Sequence, residues 1–124
     1  MIAVSNAEFD WAVQRALDEI PDEFRPYLEN IVVEVRPRPD RKLMREQDVP
    51  EDILGLYVGV PVENHGPEGG RSLLPDHIYV FRDNLCEMCE TFEELIDEIR
   101  ITVLHEIGHH FGLDEDRLAE LGYD

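Results

Sequence analysis

From Thr91 to Ile107 the sequence TFEELIDEIRITVLHEI runs without a glycine or a proline, and Gly112 stands where such a run can turn out of a helix. Thr91 with Glu94 forms a capping box at the start, and a glycine just past the end suits the left-handed residue that closes a helix. At ~1.5 Å per residue the expected helix is about 30 Å long and must cross the whole of a domain this small. Stepping ~100° per residue, Phe92, Ile96, Ile99, Val103 and Ile107 fall in one core-facing stripe. His105 and His109 lie together on a different face, with Glu98 and Thr102 stacked above them. Whatever else the chain forms has to be built around that helix.

The remaining elements are shorter. Ser5 and Glu8 form a second capping box, and Phe9, Ala12, Val13, Ala16, Leu17 and Ile20 give an amphipathic first helix. Pro21 can open a short helical stretch carrying Phe24, Tyr27 and Leu28, with Pro26 either in its first turns or breaking it. Three strands are expected: IVVEV (31–35), LGLYVGVPV (54–62) and HIYVFR (77–82). Residues 37–53 read as a loop or short helical turn, NHGPEGG as a loop, and Asp114 is placed to cap a final turn, DRLAEL. The pattern predicts an α+β fold in one domain over 1–124. A small three-stranded sheet packs on the long helix, with N-terminal helices in support.

Twenty-nine acids against eleven Lys and Arg give a formal charge of −18. That field repels phosphate backbones and anionic lipid, so neither nucleic acid nor a membrane is an expected partner. MIAVSNAEFDW has no basic and apolar regions of a secretory leader, and no run approaches the ~18 apolar residues of a membrane span. Cys86 and Cys89 are too few and too close to staple a secreted domain. A cytoplasmic protein is expected. Cys86-Glu-Met-Cys89 has redox-motif spacing, but its acidic neighbours disfavour thiolates, so buried structural cysteines are expected.

The chemistry lies in LHEIGHHFGLDEDR, residues 104–117. Two imidazoles one helical turn apart can converge on one ion at about 2.0–2.1 Å, and Glu106 borders the same face without needing to ligate it. Its expected role is general base. The same arithmetic returns His110 to the core-facing side, where it is expected to pack or support. A catalytic zinc needs a third protein ligand, and fifteen residues follow His109, so that ligand is expected close by. Gly112 lets the chain reverse, and the spacing H-E-x-x-H-x-x-G-x-x lands on Glu115, or on Asp116 if the turn is one residue longer. Tyr57, His77, Arg117 and Tyr123 are candidates for stabilising an oxyanion.

The tail HEIGHHFGLDEDRLAELGY resembles the zincin metallopeptidases, and in particular a family of very small, mostly bacterial, predicted metallopeptidases, the mini-zincins. LLPDHIYVFR and ILGLYVGVP resemble the strands of that family's sheet. The resemblance implies a minimal zincin-like fold and one catalytic Zn2+ held by His105, His109 and the acid at the aspartate-zincin position, here Glu115. It implies a peptide or protein substrate, which could pair along the 54–62 edge strand. Met1, Met44 and Met88 all precede the motif, so a Met-turn is not expected. The expected activity is that of a zinc metalloendopeptidase, a hydrolase in which Glu106 moves the protons. The alternative is a zinc-binding regulatory or interaction domain with little or no turnover.

Overall fold

The computed structural model describes residues 1–59 and 74–122. Helix α1 (Asn6–Asp18) starts on the reciprocal capping box of Ser5 and Glu8, both halves of which are formed. A 3-10 helix (Asp22–Leu28) follows Pro21 and contains Pro26, as the tighter winding allows. The sheet contains β1 (Ile31–Arg36), β2 (Gly55–Val58) and β3 (Asp76–Phe81). Its order is β1-β3-β2, with β1 parallel and β2 antiparallel to β3. The central strand is the most apolar, Ile78, Val80 and Phe81 being fully buried.

Two short helices frame the strands. Helix α2 (Arg41–Gln47) lies between β1 and β2, capped by the Asp40 carboxylate on the Leu43 N–H and closed by Asp48 at φ 53°. Helix α3 (Arg82–Met88) leaves directly from β3. The sequence pattern shows α2 only as a possible turn and gives no sign of α3, because HIYVFR runs into RDNLCEM without a breaker. The edge strand is also shorter than expected, and residues 60–62 of the predicted strand and the predicted NHGPEGG loop lie outside the described residues.

The long helix α4 (Phe92–Phe111) forms as read, with Thr91 Oγ1 accepting from the Glu94 N–H and Gly112 in the left-handed region at φ 63°. It packs on α1 and on β2 and β3. Phe9, Ala12 and Ala16 of α1 meet a face of α4 that includes Leu95, Ile96, Ile99, Val103, Leu104 and Ile107. That face is wider than the five-residue stripe, because α4 is enclosed from two sides. Among the described residues no helix is long and apolar enough to cross a membrane.

Candidate active site

Strand β2 lies along α4, and three contacts fix its position. Gly55 faces Thr102 so closely that a Cβ on the glycine would stand 2.4 Å from Thr102 Cγ2 and 3.0 Å from the Tyr79 carbonyl oxygen. The Tyr57 N–H donates to Glu106 Oε1 at 3.0 Å. The Tyr57 ring stacks on His110, centroids 3.8 Å apart and planes 12° apart. Thr102, Glu106 and His110 are each one turn apart on α4, so the helix period of four meets the strand period of two.

The pairing register explains why that Tyr57 donor is available. Phe81 N donates to Leu54 O and Leu56 faces Tyr79, so the backbone groups of Gly55 and Tyr57 point away from β3 to the free edge. The Tyr57 phenol then donates to Asp76 Oδ2 at the start of β3. Burial first, and the Asp76 carboxylate second, push this phenol well above its ordinary value. His110 is exposed at the edge of the helix, with one face covered by Tyr57, instead of buried in the core stripe.

His105 and His109 turn toward each other, their Nε2 atoms 3.1 Å apart and their rings nearly perpendicular. They line an open hollow of about 520 Å³ with Gly108, Gly112, Leu113, Glu115 and Leu118. The far wall comes from the chain reversal at Gly112. Leu113 N bonds back to Gly108 O, the Asp114 carboxylate caps the N–H groups of Asp116 and Arg117, and α5 (Glu115–Glu120) begins there. Leu118 is buried against α4, where a Cβ on Gly108 would come within 2.7 Å of Leu118 Cδ1. Arg117 braces the outer side of α5, with Nη2 2.8 Å from Glu23 Oε1 and Nε 3.3 Å from Oε2.

The sequence candidates separate on these facts. Glu115 is on the wall of the hollow and Asp116 is not. Among the described residues no group of three His, Cys, Asp or Glu side chains is arranged to hold a metal ion, so the convergent feature is the histidine pair. Arg117 is engaged by Glu23 and Glu120. His77 stacks on Tyr79 near Glu34 and alternates away from Ile78, on the sheet face opposite the core. Tyr123 lies outside the described residues. Cys86 and Cys89 are free and buried, and burial is the main cause that raises both thiols, Cys89 to about 11.

One positioning residue had no sequence signal. Asn84, buried on α3, donates through Nδ2 to the carbonyls of Glu51 and Ile53 at 2.8 and 2.7 Å and accepts from Arg38 through Oδ1 at 2.7 Å. It clamps the segment that enters β2, across more than thirty residues of chain. Gly55 did carry a signal: a glycine within an apolar strand often marks a close backbone approach.

A family model described as zincin-like metallopeptidase matches residues 28–123. Among solved structures, a conserved hypothetical protein from Thermo thermophilus is similar at a TM-score of 0.56 and 24% identity, covering 97% of this chain and 100% of that one. That likeness supports the fold. No curated protein matches the chain.

Proposed function

The chain belongs to the zincin-like metallopeptidase family, and we propose that it is a zinc-dependent endopeptidase with Glu106 as general base and His105, His109 and Glu115 as ligands. The observation that carries this reading is the convergence of two ring nitrogens at 3.1 Å. Two nitrogens on one tetrahedral zinc at about 2.0–2.1 Å stand about 3.3 Å apart, so the pair fits the ion with little adjustment. Glu115 is the carboxylate on the wall of the same hollow, which favours it over Asp116 as third ligand. When bound, zinc supplies Lewis acidity, polarising the scissile carbonyl and lowering the pKa of a water towards ~7.

The chain's own residues supply the rest. Glu106 takes the proton of the attacking water and returns it to the leaving amine. The Tyr57 N–H holds Oε1 and leaves the second carboxylate oxygen for that transfer. An extended peptide pairs along the free edge of β2, where the backbone groups of Gly55 and the Tyr57 carbonyl are presented.

Elemental analysis of purified protein beside His109→Ala and Glu115→Ala tests the site. Near-stoichiometric zinc, lost in the first variant and weakened in the second, is the expected result; no uptake after adding zinc sinks the reading. Glu106→Gln should keep its zinc while peptide cleavage drops by about 10²–10⁴. Zinc uptake with no cleavage of any peptide would leave a zinc-binding domain without turnover.

A further inference from the structure

A second hollow adjoins the one that holds Glu115, with His105 on the wall of both and Glu106 on the wall of the second. Ile53, Leu54 and Gly55 form one wall, and Glu98, Ile101 and Thr102 of α4 form the other, with His105 and Glu106 at its inner end. Its volume, about 260 Å³, is below the ~300–1,000 Å³ of pockets that take whole small ligands, and suits a single side chain.

The lining decides which side chain. Ile53, Leu54 and Ile101 are aliphatic, and among the described residues no Lys or Arg lines the hollow. Glu98 is half-buried, and among the described residues no cation pairs with it. The nearest helix cation, Arg100, turns instead to Glu19 and Asp97. Glu98 lies one helical turn, about 6 Å, beyond Thr102, and Thr102 is the residue against which Gly55 rests. A lysine stem carries its ammonium about 6 Å from Cα. A peptide residue on the β2 edge beside Gly55 can therefore lay an aliphatic stem along the apolar walls and bring its charge to Glu98. An acidic side chain would meet Glu98 unpaired.

We propose that this hollow is a specificity pocket for a lysine or arginine side chain of the bound peptide, with Glu98 as its anionic end. The proposal rests on the peptidase reading for its occupant, and it is tested by binding as well as by cleavage. The full chain, ¹⁵N-labelled and zinc-loaded, is titrated with Nα-acetyl-lysinamide, Nα-acetyl-argininamide and Nα-acetyl-norleucinamide. The amide signals of Leu54, Gly55, Ile101 and Thr102 are followed.

The basic probes should shift these signals and bind about tenfold more tightly than norleucinamide, and Glu98→Gln should remove that difference. Equal binding of norleucinamide, a preference that survives Glu98→Gln, or shifts confined to other residues overturns the pocket. Cleavage separates the two readings. Hydrolysis of a peptide library with no basic preference that depends on Glu98 rejects the pocket and leaves the peptidase standing. Glu98-dependent binding in a protein that cleaves no peptide supports the pocket and rejects the peptidase.

Discussion

The backbone N–H of Tyr57 is bonded to the side chain of Glu106 at 3.0 Å, so a strand edge holds the carboxylate of a helix forty-nine residues away. The orientation of the proposed base is then set by how β2 sits on α4. Substitutions that lift the strand should affect hydrolysis without touching a ligand.

Gly55 is the first such position. A Cβ there would stand 2.4 Å from Thr102 Cγ2 and 3.0 Å from the Tyr79 backbone oxygen. Gly55→Ala should cost about 1–3 kcal/mol of stability in urea unfolding. Thr102→Ser removes the methyl and should restore part of that loss in the double variant, but not all, because the Tyr79 contact persists. Wild-type stability in Gly55→Ala alone would show that β2 has room to spare.

Tyr57→Phe keeps the ring on His110 and deletes the hydroxyl donated to Asp76. A loss of about 1 kcal/mol is expected for a half-buried bond of this kind. The pH dependence has a defined sign. The folded phenol titrates above its ordinary 10.0, chiefly through burial, so the folded state holds this proton more tightly than the unfolded chain. The resulting stability is complete below pH 10 and is lost as pH rises from there towards the folded value. Alkaline unfolding of wild type and Tyr57→Phe, run in parallel, should show this loss only in wild type. Matching curves would mean that the phenol is solvated.

Asn84→Asp is nearly isosteric but presents acceptors to two carbonyls that now receive Nδ2 hydrogens. Leaving buried acceptors unmet should cost about 2 kcal/mol or more, with Asn84→Ala close behind. Loosening should concentrate at the entry to β2, read as faster amide exchange of Leu56, which faces Tyr79 in the ladder, and of Tyr57, whose N–H is held by Glu106. Uniform exchange across the protein would argue against a local clamp.

Gly108 separates helix propensity from docking. Alanine in a helix interior is favoured by about 1 kcal/mol, and the Leu118 Cδ1 it would crowd at 2.7 Å is the tip of a flexible side chain. Gly108→Ala should thus leave the melting temperature and zinc affinity nearly unchanged, the Leu118 tip giving way. Gly108→Val, too large for that adjustment, should displace α5 and with it Glu115, and zinc affinity, measured against a chromophoric chelator, should fall several-fold. Unchanged affinity in Gly108→Val would argue against Glu115 as a ligand.

Features that depend on neighbours a few residues apart were legible in the chain alone. The course of α4 from Thr91 to Gly112, the shared face of His105 and His109, and the cap at Asp114 follow from helix periodicity and from the left-handed turn that glycine tolerates. Spacing also narrowed the candidates for a third ligand to Glu115 and Asp116. It took the packing of distant segments to settle which of the two lines the hollow, to lay β2 over Glu106, and to tie down the entry to that strand through Asn84. The same packing turned Arg117 to Glu23 and His77 to the far face of the sheet. These are pairings between residues far apart along the chain, set by strand order and register. A local pattern of polar and apolar residues does not encode which strand will lie against which helix.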